Sequence, residues 1–411
     1  MERKKIWIVT ELFHPEETAV AFIFTRIADF LSTNYNVSVI SGPEFYDNNK
    51  VEFKDTYKIS ENIEIFRVKT LNFNKNSLIQ RSLKIIFLSL KMSFLILKKV
   101  SKGEVVLLAT NPAPLLLLMI LIKKWKRIEL HILVHDVFPE NTIPAQIFKN
   151  NKSIIYKVLK LIFDRAYSNA DHLIVIGRDM KEVLLEKSKR FNGNLPISIV
   201  PNWSNLISIK QNIIEINIET KKEDQPILVF QYAGNIGRVQ GLDVLIDSFI
   251  LSNNSRIHLI LRGTGALYST IENLILSKNL KNITLLGSYS RNEEKDFLSQ
   301  CDISIVSLSN GMFGLGVPSK TYNLLSIGKP ILYIGEPNSE ISLLVNENDI
   351  GWSININKKS ELIDFFKNIK PENKIDFVRK GERARLLAET KFEERTVLSL
   401  FQKQMEMHFK E

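Results

Sequence analysis

The residues best suited to chemistry cluster in short loops that follow apolar runs. The run Ile227–Tyr232 leads into Gly234-Asn-Ile-Gly237-Arg-Val-Gln-Gly241. Glycines at such a bend let a phosphate approach backbone N–H groups, and the helix expected over Leu242–Leu251 adds about half a positive charge at its start. Gly234, Asn235 and Gly237 are therefore phosphate-binding candidates, with Arg238 as a charge partner. A tight strand-to-helix turn would use the same glycines. The second glycine follows three residues after the first, so the spacing is not the dinucleotide G-x-G-x-x-G pattern. Arg262-Gly263-Thr-Gly265 follows the next apolar run, and Gly287-Ser288-Tyr289 the one after it. A fourth loop, Ser309 to Asn323, is rich in glycine, Gly316 included, and carries Pro318-Ser319-Lys320. Proline suits a first helical turn, so Ser319 and Lys320 would project from a helix start, where N–H groups and an ammonium converge on an anion. A capped helix with a surface lysine is the plainer alternative. The ATP-hydrolysing pattern G-x-x-x-x-G-K-[ST] is absent.

In the first half, the run Leu130–Val134 ends in His135-Asp136-Val-Phe-Pro-Glu140. This set could handle a proton or hold sugar hydroxyls, which need short carboxylate acceptors. Each residue could equally cap its loop. A metal site is not expected, because His131 points away from the His135–Asp136 pair and no thiolate is near.

These loops need a scaffold that brings strand ends together. The 411 residues favour two or three domains, and 45% hydrophobic against 24% charged residues marks a globular chain. Strand-like runs alternate with helical patterns from Ile6 to Val200 and again from Ile227 to Ile354, which indicates parallel sheets. Several runs, such as Val105–Thr110, are apolar throughout, as strands covered on both faces are. The expected architecture is α/β: residues 1–205 as one domain, 206–226 as linker and 227–384 as a second. The segment Lys380 to Lys410 reads as one helix, and residues 385–411 are expected to pack back on the first domain.

Fifty-five Lys and Arg against 45 Asp and Glu give a net charge of +10. Lys84, Lys91 and Lys98 recur every seven residues along an apolar helix, and Lys123, Lys124, Lys126 and Arg127 add a second basic cluster. Monotopic interfacial helices look like this; a core helix whose lysines snorkel to water does too. No nucleic-acid module accompanies the charge. One cysteine, Cys301, allows no internal disulfide, and the first apolar run is too short for a secretory signal. A cytoplasmic chain, peripheral to the membrane, is expected.

The phrases "TELFHPE", "ATNPAP", "VHDVFPE", "NADHLIVIG", "IVPNW", "YAGNIGRVQGLD", "LRGTGALY", "ITLLGSYSRNE", "CDISIVSL" and "GVPSKTYNLLSIGKPIL" occur in order along nearly the whole chain. In these the sequence resembles the family-4 glycosyltransferases of GT-B fold, especially their bacterial surface-polysaccharide branch. The resemblance implies two Rossmann-like domains facing across a cleft, a nucleotide-sugar, UDP-linked, held by the second, and a polyprenyl-diphosphate-linked saccharide held by the first. It implies retention of anomeric configuration, no metal and no cofactor; the basic apolar helix adds an anionic inner-leaflet surface as an expected partner. By the same resemblance His135 and Asp136 face the transferred sugar, Glu140 lies on the acceptor side, Arg238 and Lys320 stabilise the diphosphate, and Ser288-Tyr289 seats the base. Arg262, Gly263, Gly316, Ser319 and Asn323 complete the donor site. The family's paired glutamates fall at Leu315 and Asn323, its loop lysine at Gln240, and its N-terminal glycine pair at Glu17-Thr18-Ala19. Those departures keep two rivals in view, a nucleotide-sugar epimerase of the same fold and a degenerate sugar-binding scaffold.

Overall fold

The computed structural model describes residues 3–16, 18–44, 57–70, 78–204, 227–289 and 293–409. The expected linker 206–226 and Glu17 lie outside them. The chain divides into two compact units. The first comprises Met1–Glu140, Asn150–Val200 and Leu398–Glu411, and the second Asn141–Lys149 and Pro201–Val397.

The first unit alternates β1 (Lys5–Thr10), α1 (Ala19–Ser32), β2 (Asn36–Ser41), β3 (Glu64–Arg67), α2 (Leu78–Lys99), β4 (Val105–Ala109), α3 (Ala113–Lys126), β5 (Glu129–Val134), α4 (Ile154–Ser168), β6 (His172–Val175), α5 (Arg178–Ser188) and β7 (Ile197–Ile199). Its seven strands are parallel in the order β3-β2-β1-β4-β5-β6-β7. Every residue of β4 and β5 is buried, as continuous apolar runs require once helices cover both faces. Local signals set the helix starts: the Thr18 hydroxyl accepts the Ala21 N–H at 3.3 Å and opens α1.

The second unit runs β8 (Leu228–Ala233), α6 (Leu242–Leu251), β9 (Ile257–Arg262), α7 (Tyr268–Ser277), β10 (Ile283–Leu286), α8 (Glu294–Leu298), β11 (Ile303–Ser307), α9 (Lys320–Ile327), β12 (Ile331–Gly335), α10 (Glu340–Asn348), β13 (Gly351–Asn355), α11 (Lys359–Asn368) and α12 (Lys374–Lys391); α13 (Glu394–Glu406) starts in it and belongs to the first unit from Leu398 on. Six parallel strands take the order β10-β9-β8-β11-β12-β13. Phe366 of α11 closes the core edge-on against Phe230 and Phe249, with ring centroids 5.2 and 5.3 Å away.

The helix expected over Lys380 to Lys410 is two helices. The chain bends at Phe392, whose carbonyl accepts the Ser204 N–H at 2.9 Å, and the Glu393 carboxylate caps the new helix by accepting the Thr396 N–H at 2.7 Å. α12 stays with the second unit because Gly381 comes so close to the Gly328 carbonyl of α9's end that a Cβ there would sit 2.1 Å from that oxygen. The return to the first unit therefore begins at Leu398 and not at residue 385. Residues Asn141–Lys149, expected with the first domain, group with the second.

Where the C-terminal segment meets the first sheet, the buried polar groups are paired in a chain. Glu129 Oε1 lies 2.8 Å from His131 Nε2, His131 Nδ1 3.2 Å from His172 Nδ1, and His172 Nε2 2.9 Å from Ser198 Oγ. Ser198 in turn donates to Gln404 of α13 at 2.7 Å. The His408 ring stacks 4.2 Å from His172. Burial, with His131 and His408 close by, pushes the His172 imidazole down to about 3. Its folded form therefore stays neutral while the unfolded chain takes up a proton below about pH 6.5, so the folded state loses stability as pH falls from there. Urea melts at pH 7, 6 and 5 should show a falling unfolding free energy, to which this one group adds a slope of up to about 1.4 kcal/mol per pH unit, and His172→Gln should reduce the slope by that share while His135 keeps the rest. An identical slope in the variant would remove His172 as its source.

Candidate functional site

Each sheet reverses its strand order at one point, between β1 and β4 in the first unit and between β8 and β11 in the second. In open parallel sheets ligands bind beyond the strands' carboxyl ends at such points. The expected residues stand at these ends.

In the second unit the β8 and β9 loops are joined backbone to backbone. Gly234 N–H donates to the Arg262 carbonyl at 2.9 Å, Ile236 N–H to Thr264 at 2.8 Å, and Leu267 N–H to Ile236 at 2.9 Å. Two glycines permit this approach. At Gly263, with φ +146°, a Cβ would stand 1.8 Å from the Gly234 oxygen, and at Gly265, with φ +156°, 2.3 Å from the Ile236 oxygen. Gly237 is buried between the Asn235 and Gln240 side chains, while Arg238 stands exposed on the short turn before α6. The Val239 carbonyl of that turn accepts the Ser309 N–H at 2.9 Å, which ties the β11 loop to the same rim.

The side chains on this rim converge. The Arg262 guanidinium lies 4.3 Å from the Phe297 ring centroid and 5.1 Å from that of Tyr289. The Lys320 ammonium stands 4.5 Å over the Tyr289 ring and donates to its hydroxyl. Burial pushes the Tyr289 phenol up, reinforced by the Glu294 carboxylate, so it stays neutral. Arg262, Tyr289 and Lys320, expected as separate donor contacts, thus form one stacked group. Arg262 Nε within this group, and Ser307 Oγ, Ser309 Oγ and Thr321 Oγ1 on β11, its loop and α9, are buried with no hydrogen-bond partner among the described residues. Ser319 is the N-cap residue of α9 with no side-chain capping hydrogen bond, and Pro318 lies two positions before the first helical residue, Lys320, so it is not in the first turn. Asn323 is half-buried one turn after Lys320, Gly316 lies half-buried in the loop before α9, and Ser288 is exposed. Leu315 is buried among core residues. Glu336, which sequence reasoning missed, accepts the Phe313 N–H at 2.8 Å and fixes the glycine-rich loop. An acid directly after the β12 run was its only signal.

The first unit's rim has a different character. Glu11, Asn111 and His135-Asp136 follow β1, β4 and β5, which are neighbours in the sheet. The Asn111 amide donates to the Asp136 carboxylate at 3.3 Å, and the Asn111 carbonyl accepts the Glu11 N–H at 3.2 Å. Burial raises the Glu11 and Asp136 carboxyls; Lys84 counters it at Glu11, and the Asn111 hydrogen bond at Asp136. The His135 ring lies edge-on to Phe24, with Nε2 shut off from solvent and without a partner among the described residues. Burial pushes this imidazole down to about 4, so near neutrality it offers hydrogen bonds and not a proton.

Glu140 does not face outward. Both its oxygens lie 2.7 Å from the ammonium of Lys187, on α5, which also donates to the Phe138 carbonyl at 3.0 Å and pairs with Asp164 at 2.6 Å. Glu140, expected on the acceptor side, is thereby an anchor under the His135–Glu140 loop. Burial pushes the Lys187 ammonium down while Glu140 and Asp164 hold it up. Lys187 gave no local signal because its partner lies 47 residues away in sequence.

A family model described as "Glycosyl transferases group 1" matches residues 212–378. "Probable glycosyltransferase WbjE" of Pseudomonas aeruginosa is 35% identical over 289 residues, 68% of this chain and 69% of that one. The chain belongs to the group 1 glycosyl transferases. The transferase is also 22% identical to WcaI of Escherichia coli K12, a protein named for colanic acid biosynthesis, over 45% of this chain and 46% of that one. Among solved structures, HepE of Anabaena in complex with UDP superposes with a TM-score of 0.67 at 13% identity, covering 98% of this chain and 100% of that one. The transferase has the GT-B fold, with two parallel-sheet units flanked by helices.

Two substitutions test the construction of the rims. Gly263→Ala should destabilise by at least about 2 kcal/mol, from left-handed strain and overpacking against Gly234, and a Tm within a degree of wild type would refute the close approach. Lys187→Met removes the buried one of the two cations that hold Glu140 and Asp164, leaving only the more exposed Lys160 between them, and should cost up to about 3 kcal/mol in chemical denaturation. Pairing it with Glu140→Gln should recover part of that loss; strict additivity would show that the two side chains do not interact.

Proposed function

We propose that this transferase moves a sugar from a UDP-sugar to a saccharide carried on a polyprenyl diphosphate, in surface-polysaccharide synthesis on the cytoplasmic side of a membrane. The reaction retains the anomeric configuration and uses neither metal nor cofactor. The observation that carries the reading is the second unit's rim, where two cations and a glycine-lined backbone stand together at neighbouring strand ends. A nucleoside diphosphate supplies the acceptor oxygens that such donors need. The UDP bound by HepE supports the choice of nucleotide, and the naming of WcaI supports the product class.

On this reading the acceptor oxygen attacks the anomeric carbon on the face from which the diphosphate departs. The new C–O bond forms as the bond to the diphosphate oxygen breaks, and the departing diphosphate takes the acceptor's proton. Negative charge grows on the diphosphate, where Lys320, Arg238 and the Gly234–Gly237 backbone stabilise it electrostatically. Neutral His135 and the Asn111-held Asp136 carboxylate orient sugar hydroxyls.

Calorimetric titration with UDP and GDP, without metal, should give selective UDP binding. Lys320→Ala should lower turnover at least tenfold, corresponding to loss of a charge-assisted contact of about 1.4 kcal/mol. Absence of nucleotide binding, or unchanged turnover in the variant, would overturn the reading.

A further inference from the structure

We infer that Glu11 is an acceptor-binding residue of the transferase, its carboxylate taking hydrogen bonds from hydroxyls of the saccharide that receives the sugar. The inference deepens the proposed function and rests on it for the existence of that acceptor. Glu11 is the first residue after β1, where the first sheet's strand order reverses, and both polar groups of its backbone are used. Its N–H donates to the Asn111 carbonyl beyond β4 at 3.2 Å, and its carbonyl accepts the Gly42 N–H beyond β2 at 3.1 Å. Only glycine fits at residue 42, because a Cβ there would stand 2.5 Å from the Glu11 oxygen. The loop that follows is tied down as well. The Thr10 hydroxyl donates to the Leu12 carbonyl at 3.1 Å, the Thr25 hydroxyl of α1 accepts the His14 N–H at 3.1 Å, and Arg67 at the end of β3 donates to the His14 carbonyl.

In this fixed frame the carboxylate has no hydrogen-bond partner among the described residues. It is half-buried, and the charged group that acts on it is the half-buried Lys84 ammonium of α2, through charge and not through a hydrogen bond. Burial outweighs that charge and raises the carboxyl above the usual glutamate range. Holding an ionised carboxylate at such a place lowers stability, because its lost hydration is not replaced. A group that costs stability and is fixed at a sheet's switch point has the signature of a functional residue. Two more polar atoms at the neighbouring strand ends lack partners among the described residues, Thr110 Oγ1 after β4 and His135 Nε2 after β5.

Spacing assigns the ligand. Neighbouring strands lie about 4.8 Å apart, and β4 stands between β1 and β5, so Glu11 is roughly 10 Å along the sheet edge from the His135–Asp136 end. One sugar ring does not bridge both. With His135 and Asp136 on the transferred sugar, as proposed, Glu11 is set against the next ring, which is the acceptor's. A carboxylate repels phosphate, so neither the donor's diphosphate nor the lipid carrier's is its ligand. Neutral hydroxyls suit it, because a hydrogen bond to an ionised oxygen is about twice as strong as one between neutral groups. Lys84 favours the ionised form and so serves the same end.

The test separates acceptor binding from donor binding and from folding. The full chain, Glu11→Gln and Lys84→Met are assayed with the UDP-sugar that calorimetry selects and a panel of synthetic mono- and disaccharides on a short polyprenyl diphosphate. Glu11→Gln should raise the acceptor KM at least about tenfold, the loss expected for a hydrogen bond to a charged group, with UDP affinity within about twofold of wild type. The same variant should melt about 2 °C higher at pH 7, because a neutral amide avoids the cost of the ionised carboxylate, whereas a purely structural glutamate would lose stability on this change. Turnover at low acceptor concentration should fall as pH falls through the raised Glu11 ionisation. Lys84→Met removes the charge that favours ionisation and should move this acid limb to higher pH. Asp136, the other raised carboxyl at these strand ends, is not acted on by Lys84, so the movement assigns the limb to Glu11. An unchanged acceptor KM in Glu11→Gln, a melting temperature no higher than wild type, or an acid limb indifferent to Lys84→Met would each overturn the proposal. The melt decides even where no member of the panel accepts a sugar. Failure of the wild-type chain to bind UDP would instead overturn the donor reading.

Discussion

The second unit's binding edge depends on a contact that any side chain at residue 263 would forbid. Gly263 lies so close to the Gly234 carbonyl that the β8 and β9 loops share hydrogen bonds as if the sheet continued past its end. Arg262, the residue before that glycine, is thereby fixed where its guanidinium covers Phe297 and Tyr289, and Tyr289 in turn receives Lys320 from the start of α9. Three loops from separate strands are registered by one backbone approach. In the first unit the equivalent task falls to a side chain, because Lys187 reaches from α5 to the Phe138 carbonyl and to Glu140 beneath the His135–Glu140 loop.

The two rims also differ in electrostatics. Cations gather on the second rim. On the first, burial disfavours ionisation, raising Glu11 and Asp136 and lowering His135. An environment of weakly charged, directional groups suits neutral hydroxyls, whereas guanidinium and ammonium beside unpartnered N–H and O–H donors suit a phosphoryl group. This contrast is the physical basis of the proposal that the second unit holds the diphosphate and the first the acceptor.

Much of this was legible along the chain. Val105–Thr110 and Leu130–Val134 could be read as buried strands because helices cover both faces and every position is apolar or paired internally. The glycine loops were legible because close approach leaves few residue types possible. What could not be read depended on partners distant in sequence. Glu140 looks like a ligand for a hydroxyl until Lys187 is placed against it, and the break at Phe392 interrupts an amphipathic pattern that continues on both sides, because Ser204 takes the carbonyl there. Glu11 and Glu336 passed unnoticed because a single acid after a strand is indistinguishable from a loop residue until neighbouring strand ends are aligned.

The C-terminal segment that packs on the first sheet has a consequence for synthesis. Gln404, His408 and Phe409 complete the surroundings of Ser198, His172 and His131, yet they are translated after the entire second unit. Domains generally fold as they leave the ribosome, N-terminal first. Here the first unit emerges early but waits, with its central histidines uncovered, until residues 398–409 are free of the exit tunnel. The unit made first is therefore the one finished last, and a chaperone that shields the β5–β7 edge during that interval would act on a nascent chain whose second unit already has its own core.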